Sequence, residues 1–407
     1  MSNSRRDFLK KSIGFVSLSA AAPHLWVRTA LAQGGGPAAV GRVLVVLQLG
    51  GGNDGMNTVV PYGNGVYYDV RPTIGIAPGE VLDLNGSLGL HPSMAPLVPL
   101  WEAEKMAIVL GAGYPQPNRS HFRSMDIWHT AEPIEIETTG WLGRYADLHL
   151  ADSGELAAIN VGGSLPKSFN AEAVVVPSIV SLQSYDFQTD PDYPGDRANQ
   201  IDAYLACNTR AGAKNDELAI ASTSVAAYTG SSELQMAAGG YTPRATYPTS
   251  RLGADLRFAA QVITSGVGTK VVYVSTGGYD THANQPTQQA NLLGDMSESV
   301  AAFLTDLEGQ GLGDRVAVLA FSEFGRRVNE NGSNGTDHGT AAPMFLFGAG
   351  VAGGLHGEYP SLTSLDQNDD LIHTVDFRSV YADALDRWLQ VDSREVLQGT
   401  YPSLGVF

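Results

Sequence analysis

Carboxylate and imidazole side chains recur along this chain just after apolar segments, where glycine-rich or polar turns begin. The residues in these positions are Asp54, Asp280, His282, Glu323, Asp337 and His338. Such oxygen and nitrogen donors suit Zn²⁺, Mn²⁺, Fe²⁺ or Mg²⁺, with Ca²⁺ favoured if carboxylates dominate. Each residue taken alone is as readily explained by a turn or a helix cap. Gathered at one sheet edge, however, the carboxylates would repel one another without a cation, so together they predict a divalent metal site.

A candidate nucleophile lies in the segment Pro117-Asn118-Arg119-Ser120-His121. Ser120 begins a predicted helix over residues 120–128, and the free amides at a helix N-terminus favour an anionic group such as phosphate or sulfate. A hydroxyl is a poor nucleophile until a metal or a base lowers its pKa. Ser120 beside a metal would therefore attack an ester, although its position is equally typical of a plain helix cap.

Arginines and histidines complete the candidate site. We expect Arg119, Arg123 and Arg326 to pair with the non-bridging oxygens of an anion, which guanidinium groups bind in a bidentate manner. His121, next to Ser120, is a further catalytic candidate. The other histidines after residue 40 are expected to be structural, namely His91, His129, His149, His356 and His373, although His129 is kept as a further candidate.

Five apolar segments lead into glycine-rich or polar turns, and they are residues 42–49, 106–110, 270–275, 315–321 and 343–347. Continuous apolar runs indicate strands buried on both faces. Apolar residues at spacings of three and four predict helices over residues 251–264, 288–310 and 376–389. This alternation predicts an α/β fold with a doubly wound, mostly parallel sheet, at whose carboxyl edge the candidate ligands would converge. Residues 165–247, rich in Ser, Ala, Asn and Gly, are expected to form a largely helical insertion or cap.

Composition excludes several classes of function. The formal net charge of −17 argues against nucleic acid or an anionic membrane as the main partner. Cys207 is the single cysteine, so no disulfide forms within the chain.

Common catalytic motifs are missing as well. The sequence lacks a Gly-x-Ser-x-Gly elbow, a His-Glu-x-x-His motif and a phosphate-binding Gly-Lys-Ser/Thr loop. A glycine pattern at 348–353 matches the dinucleotide fingerprint, but no helical pattern follows it.

The first 32 residues are typical of a twin-arginine export signal. Arg5 and Arg6 precede an apolar run over residues 13–22, and Ala30-Leu31-Ala32 offers small residues for cleavage. The apolar run is shorter than the ~20 residues of a spanning helix, so no stable membrane anchor is expected. The predicted partner during export is the twin-arginine translocase, and the predicted location is periplasmic or secreted. Residues 40–407 are then expected to form one α/β domain.

Five motifs in order resemble those of a large family of twin-arginine-exported bacterial proteins, itself similar to the alkaline phosphatase and sulfatase superfamily. They are Gly51-Gly52-Asn53-Asp54-Gly55, Pro117-Asn118-Arg119-Ser120-His121-Phe122, Gly278-Tyr279-Asp280-Thr281-His282, Ser322-Glu323-Phe324-Gly325-Arg326 and Gly335-Thr336-Asp337-His338-Gly339. The resemblance implies an alkaline-phosphatase-like fold over essentially the whole exported chain. It also implies metal binding by Asp54, Asp280, His282, Glu323 and His338, with Ser120 as nucleophile.

Two departures from the superfamily pattern bear on activity. Where the superfamily usually has an Asp-His pair, this chain has Glu323-Phe324, so one histidine ligand is absent or is supplied by His121 or by Asp337-His338. The sulfatase Cys/Ser-x-Pro-x-Arg signature is also missing. The sequence therefore supports two hypotheses: an exported metal-dependent hydrolase of small phosphate or sulfate esters, or a non-catalytic secreted or surface-assembly protein that retains the fold and a structural metal.

Overall fold

The computed structural model describes residues 41–209 and 215–407. The export signal inferred above lies outside the described residues. The strands, numbered in chain order, are β1 Val43–Leu49, β2 Val59–Val60, β3 Leu82–Asp83, β4 Gly89–Leu90, β5 Met106–Gly113, β6 Ala158–Val161, β7 Ser178–Ile179, β8 Val271–Thr276, β9 Val316–Phe321, β10 Ala342–Phe347, β11 Gly354–His356 and β12 Val375–Asp376.

The α-helices, numbered likewise, are α1 Gly55–Thr58, α2 Gly65–Val70, α3 Val98–Glu102, α4 His121–Thr130, α5 Trp141–His149, α6 Arg197–Asn208, α7 Asn215–Ala238, α8 Arg251–Ser265, α9 Gln285–Gly309, α10 Phe377–Asp383 and α11 Ser393–Leu397. Short 3₁₀ segments span Pro92–Leu97, Lys167–Phe169, Pro194–Asp196 and Gly313–Arg315, and a π-helical segment, Ala384–Leu389, continues α10.

Nine of the described strands form one sheet, in the order β11-β5-β10-β9-β1-β8-β6-β7, with β12 also paired to β5. The pairs on either side of β1 are parallel, whereas β10 runs antiparallel to both β9 and β5. A separate small sheet joins β2, β4 and β3. The predicted α/β fold with a mostly parallel sheet is thereby confirmed.

The reversed direction of β10 decides where the loop before it lies. Ala342, the first residue of β10, pairs with Ala112 near the carboxyl end of β5. The loop that carries Asp337 and His338 therefore reaches the edge at which β1, β8 and β9 end. The sequence pattern identified this strand but did not reveal its direction.

Both faces of the sheet are buried, as the continuous apolar strands predict. Val45 and Leu47 of β1 belong to one hydrophobic cluster, which includes Leu256 of α8 and Met296 of α9. The alternate residue Val46 belongs to the opposite cluster, built with α4, α5 and α10. Burying each such side chain contributes about 1.5–3 kcal/mol, so the strand edge that carries the polar loops is held rigidly from both sides.

The stretch over residues 165–247, for which an insertion or cap stays a prediction, holds two α-helices, α6 and α7. It also contains β7, which pairs with β6 at the end of the large sheet. Its first part therefore continues the sheet, and the helices begin at Arg197. Among the helices of the described residues, none combines the length and the apolar character that crossing a membrane requires.

Candidate metal centre

Three histidines surround Asp280 at the carboxyl edge of the sheet, and we call His121, Asp280, His282 and His338 the histidine cluster. Asp280 Oδ1 lies 3.0 Å from Nε2 of His282 and 3.0 Å from Nε2 of His338. These two Nε2 atoms are themselves 3.0 Å apart. Nε2 of His121 lies 3.4 Å from Asp280 Oδ2. Donor atoms of His121, Asp280 and His338 all lie within 4.8 Å of one another, a spacing that one metal ion would span.

Close backbone contacts bring the loops of the cluster together. A Cβ atom on Gly51, whose φ is +123°, would lie 2.5 Å from the backbone nitrogen of Asp280. A Cβ atom on Gly335 would lie 2.3 Å from the backbone of His282. Glycine is required at both positions because any side chain would push these loops apart. The glycines of the sequence motifs therefore serve to position the ligands.

The partner of His338 Nδ1 fixes the tautomer of this histidine. Nδ1 lies 2.9 Å from the carbonyl oxygen of Arg119, which accepts hydrogen bonds and cannot donate one. Burial lowers the pKa of His338, which keeps the ring neutral at pH 7. Its single proton therefore sits on Nδ1, and a lone pair on Nε2 points at Asp280.

The other two histidines are oriented in the same way. His282 Nδ1 lies 3.1 Å from Asp337 Oδ1, and His121 Nδ1 lies 2.8 Å from Glu323 Oε1. Partial burial opposes ionisation of Asp337, but hydrogen bonds from Asn331 and His282 lower its pKa, so it accepts. His121 Nε2 is buried without a hydrogen-bond partner. All three rings thus donate from Nδ1 to an oxygen and aim Nε2 at Asp280, as metal-binding histidines do.

The donor set fits a divalent cation. His282 Nε2, His338 Nε2 and Asp280 Oδ1 lie 3.0 Å from one another, and with each ring donating from Nδ1 the three atoms present lone pairs to the same point. Such an arrangement is repulsive unless a cation occupies its centre. An ion with bonds of about 2.0–2.2 Å holds neighbouring donor atoms about 3 Å apart. Nitrogen and carboxylate donors of this kind suit Zn²⁺, Mn²⁺ or Fe²⁺ better than Ca²⁺.

Arg326 holds Asp280 in place. Its buried guanidinium donates to Asp280 Oδ1 at 2.7 Å, to the carbonyl of Gly52 at 2.6 Å and to that of Thr336 at 2.8 Å. Burial alone would raise the pKa of Asp280, but the hydrogen bond and charge of Arg326, together with the neighbouring imidazoles, outweigh it and the pKa falls to about 2. Arg326 therefore ties three loops together, and its donors are committed to the protein.

Asp54 lies apart from this cluster although it also follows a strand. Its buried carboxylate pairs with Arg71, accepts from the backbone of Met56 at 3.1 Å and accepts from Gln285 Nε2 at 2.5 Å. Arg71 is itself fully buried. Both oxygens of Asp54 are thus engaged by protein donors, which caps α1 and neutralises Arg71.

Glu323 and Asp337 contact the histidines of the cluster and contribute no atom to its centre. Glu323 is buried, accepts from the backbone nitrogen of Gly51 and orients His121. Asp337 orients His282. Of the six carboxylate and histidine residues singled out from the sequence, three contribute atoms to the cluster, two support it, and Asp54 is elsewhere.

The candidate catalytic residues surround the N-terminus of α4. Ser120 is exposed at the N-cap position, where its hydroxyl makes no capping hydrogen bond. Arg119 lies 3.1 Å from the buried carboxylate of Asp370 and keeps a third of its side chain exposed. Burial raises the pKa of Asp370 to about 6. Arg123 is turned away, since it binds Asp126 at 2.6 Å and backbone carbonyls of the following loop.

A cleft of about 560 Å³ opens beside the cluster. It is lined by His121, Asp280 and Glu323 of the site, by Phe122 and Met125 of α4, and by Lys167. Its size is that of a small-molecule site. Sequence reasoning gave no role to Lys167 because its contact with Asp126 of α4 joins distant parts of the chain.

His129 also lines the cleft. Its Nε2 lies 3.0 Å from Gln48 Oε1 and 3.1 Å from the hydroxyl of Tyr273. Burial lowers the pKa of His129 to about 4, so the ring is neutral. These contacts agree with a structural role for His129.

The fold and the site define a mixed α/β protein with a candidate metal centre at the carboxyl edge of its sheet. The chain belongs to the family described as Protein of unknown function (DUF1501), whose profile matches residues 42–400. A search of curated proteins finds no match.

Similar solved structures share little sequence with the chain. The lipoteichoic acid synthase LtaP from Listeria monocytogenes is 8% identical with a TM-score of 0.39, over 90% of this chain and 76% of LtaP. The PsFucS1 sulfatase from Pseudoalteromonas sp. is 13% identical with a TM-score of 0.35, over 79% and 65% of the two chains. The TAB5 alkaline phosphatase mutant His 135 Asp is 10% identical with a TM-score of 0.32, over 76% and 92%. Similarity this low transfers no activity to the chain.

Proposed function

We propose that this protein is an exported, metal-dependent hydrolase of phosphate or sulfate esters with a doubly wound, alkaline-phosphatase-like domain. The observation that carries the proposal is the common orientation of three histidines. Each donates from Nδ1 to an oxygen of the protein, and each directs Nε2 at Asp280. The proposed location, periplasmic or secreted after transport by the twin-arginine translocase, rests on the sequence of the first 32 residues.

One divalent ion would be held by Nε2 of His121, His282 and His338 together with Asp280. Such an ion lowers the pKa of a nearby hydroxyl and neutralises charge on an anionic ester. Glu323, Asp337 and the carbonyl of Arg119 keep the three imidazoles in the required tautomer. Arg326 keeps Asp280 ionised and in position.

Ser120 is the proposed nucleophile. Its Oγ forms a bond to phosphorus or sulfur while the bond to the ester oxygen breaks, and the serine proton ends on the departing alcohol. Water then releases the phosphate or sulfate and returns a proton to Ser120. The amides at the start of α4 and the exposed part of Arg119 would bind the anionic oxygens.

A second candidate, a non-catalytic secreted or surface-assembly protein with a structural metal, is favoured by the position of Asp54. Its pairing with Arg71 leaves a single cluster of donors at the sheet edge among the described residues. The cleft favours the hydrolase, because structural metal sites are closed whereas catalytic ones adjoin open space.

The test is Ser120→Ala in the full chain. Because the Ser120 hydroxyl makes no capping bond, we expect ester hydrolysis to be abolished while metal content and the free energy of unfolding stay nearly unchanged. The matched control is Ser250→Ala, since Ser250 caps α8 by accepting from Gly253. That control is expected to lose about 1 kcal/mol of stability and no activity. A wild-type protein that binds the ion yet hydrolyses no phosphate or sulfate ester would favour the second candidate.

A further inference from the structure

Phe122 has an exposure that the fold does not explain. Its side chain is 91% exposed, more than any other large apolar side chain of the described residues. It follows His121 directly on α4 and lines the cleft. An apolar ring stabilises a protein when it leaves water, so Phe122 contributes little to folding where it stands. Its position beside a proposed metal ligand makes contact with a bound molecule the better explanation.

The cleft runs along α4, which gives Phe122 a rigid base. His121, Met125 and His129 line it at intervals of four residues. Eight residues of α-helix rise about 12 Å, so the cleft has room beyond the histidine cluster for a six-membered ring. The helix is fixed at this end by the hydrogen bond between Ser124 and the carbonyl of Glu323.

The charged side chains on the far part of the cleft are engaged with one another. Lys167 and Asp126 line this part and form an ion pair, and Asp126 also pairs with Arg123. The wall therefore offers an exposed aromatic face and hydrogen-bonding groups without an unpaired charge.

We propose that this wall is a subsite for an uncharged ring in the organic part of the ester, with an apolar face of the ring packed on Phe122. The inference rests on the proposed function and names its substrate class. An aryl ring and a sugar ring share the necessary chemistry, since both present an apolar face to an aromatic side chain. A sugar ring also carries hydroxyl groups that Lys167 and Asp126 would hydrogen-bond.

The experiment compares methyl phosphate, phenyl phosphate and glucose 6-phosphate, or the corresponding sulfates, as substrates of the metal-loaded full chain. The ratio of kcat/KM in a variant to that in the wild type is measured for each ester, which removes the difference in leaving-group reactivity. We expect Phe122→Ala to lower this ratio about tenfold more for a ring ester than for the methyl ester, and Phe122→Trp to restore it.

Ile372→Ala is the matched control, because Ile372 is an exposed apolar side chain that does not line the cleft. Lys167→Met distinguishes a sugar ring from an aryl ring. If kcat/KM falls for glucose 6-phosphate and not for the other esters, the natural ring is a sugar. If kcat/KM is unchanged for every ester while hydrolysis of phenyl phosphate depends on Phe122, the ring is an aryl group. Equal effects of Phe122→Ala on all three esters, or no effect on any, would overturn the subsite.

Binding distinguishes failure of the subsite from failure of the proposed function. If the wild type hydrolyses none of the esters, the hydrolase proposal fails, and calorimetry with phenyl phosphate and inorganic phosphate still tests the wall. Tighter binding of phenyl phosphate that is lost in Phe122→Ala supports the subsite. Equal affinities for the two probes in wild type and variant contradict it.

Discussion

Asp54 and Asp280 each follow a strand of the same sheet, yet their surroundings differ in kind. Asp54 is buried and faces donors only: Arg71, Gln285 and a backbone amide. Asp280 is 46% exposed and faces three imidazole nitrogens as well as Arg326. A carboxylate whose partners all donate is already satisfied, whereas one ringed by lone pairs requires a cation. The partners of a strand-end carboxylate, more than its position, decide what it does.

The Asp54 side of this comparison predicts the largest effect. Asp54→Ala leaves Arg71 as a buried charge without a counter-ion, which is expected to cost about 3–5 kcal/mol in the free energy of unfolding. Chemical denaturation measures this cost, and metal analysis of the folded variant is expected to find the ion still bound. The double variant Asp54→Ala, Arg71→Met removes the orphaned charge and is expected to recover part of the loss. Normal stability with loss of the ion would instead make Asp54 a ligand.

His91, which lies near Asp54, makes the free energy of unfolding depend on pH. It is buried, its Nδ1 accepts from the backbone of Ser93, and burial lowers its pKa from 6.5 to about 4 despite the opposing charge of Asp54. The unfolded chain binds this proton below pH 6.5 while the folded chain resists it. The contribution of neutral His91 to the free energy of unfolding is therefore complete above pH 6.5 and is lost as the pH falls toward 4.

The contribution of His91 to this loss is expected to be roughly 3 kcal/mol, from about 1.4 kcal/mol per pH unit. Denaturation curves at several pH values for wild type and His91→Asn measure it. Asparagine caps the same 3₁₀ segment without titrating, so the variant is expected to lose less stability in acid. Identical pH dependence in the two proteins would exclude His91 as a cause of the loss of stability in acid.

The smallest effect concerns the residues that orient the histidine cluster. Glu323→Gln weakens the acceptor that orients His121, and we expect metal affinity to fall about tenfold with the fold retained. Competitive metal titration gives the affinity. Glu330→Gln is the control, since Glu330, like Glu323, accepts from the backbone, at the amides of Thr73 and Ile74, but makes no hydrogen bond to a histidine. Equal metal affinities in the two variants would show that Glu323 does not orient a metal ligand.

Much of this arrangement was accessible from the sequence, and what was missed has a physical reason. The apolar segments predict β1, β8 and β9 closely, and parallel strands bring their following loops to one edge. The loop of His338 reaches that edge because β10 is antiparallel, which hydrophobic pattern does not encode. Whether a carboxylate meets a buried arginine or an imidazole depends on contacts between distant residues, so the different roles of Asp54 and Asp280 required the structure.

The most direct test of the metal centre is anomalous X-ray diffraction from crystals of the metal-loaded full chain. We predict one anomalous peak per chain within bonding distance of Asp280 and of Nε2 of His121, His282 and His338, with Asp54 still paired to Arg71. A peak at Asp54, or a well-ordered histidine cluster that holds no ion when zinc and manganese are supplied, would contradict it.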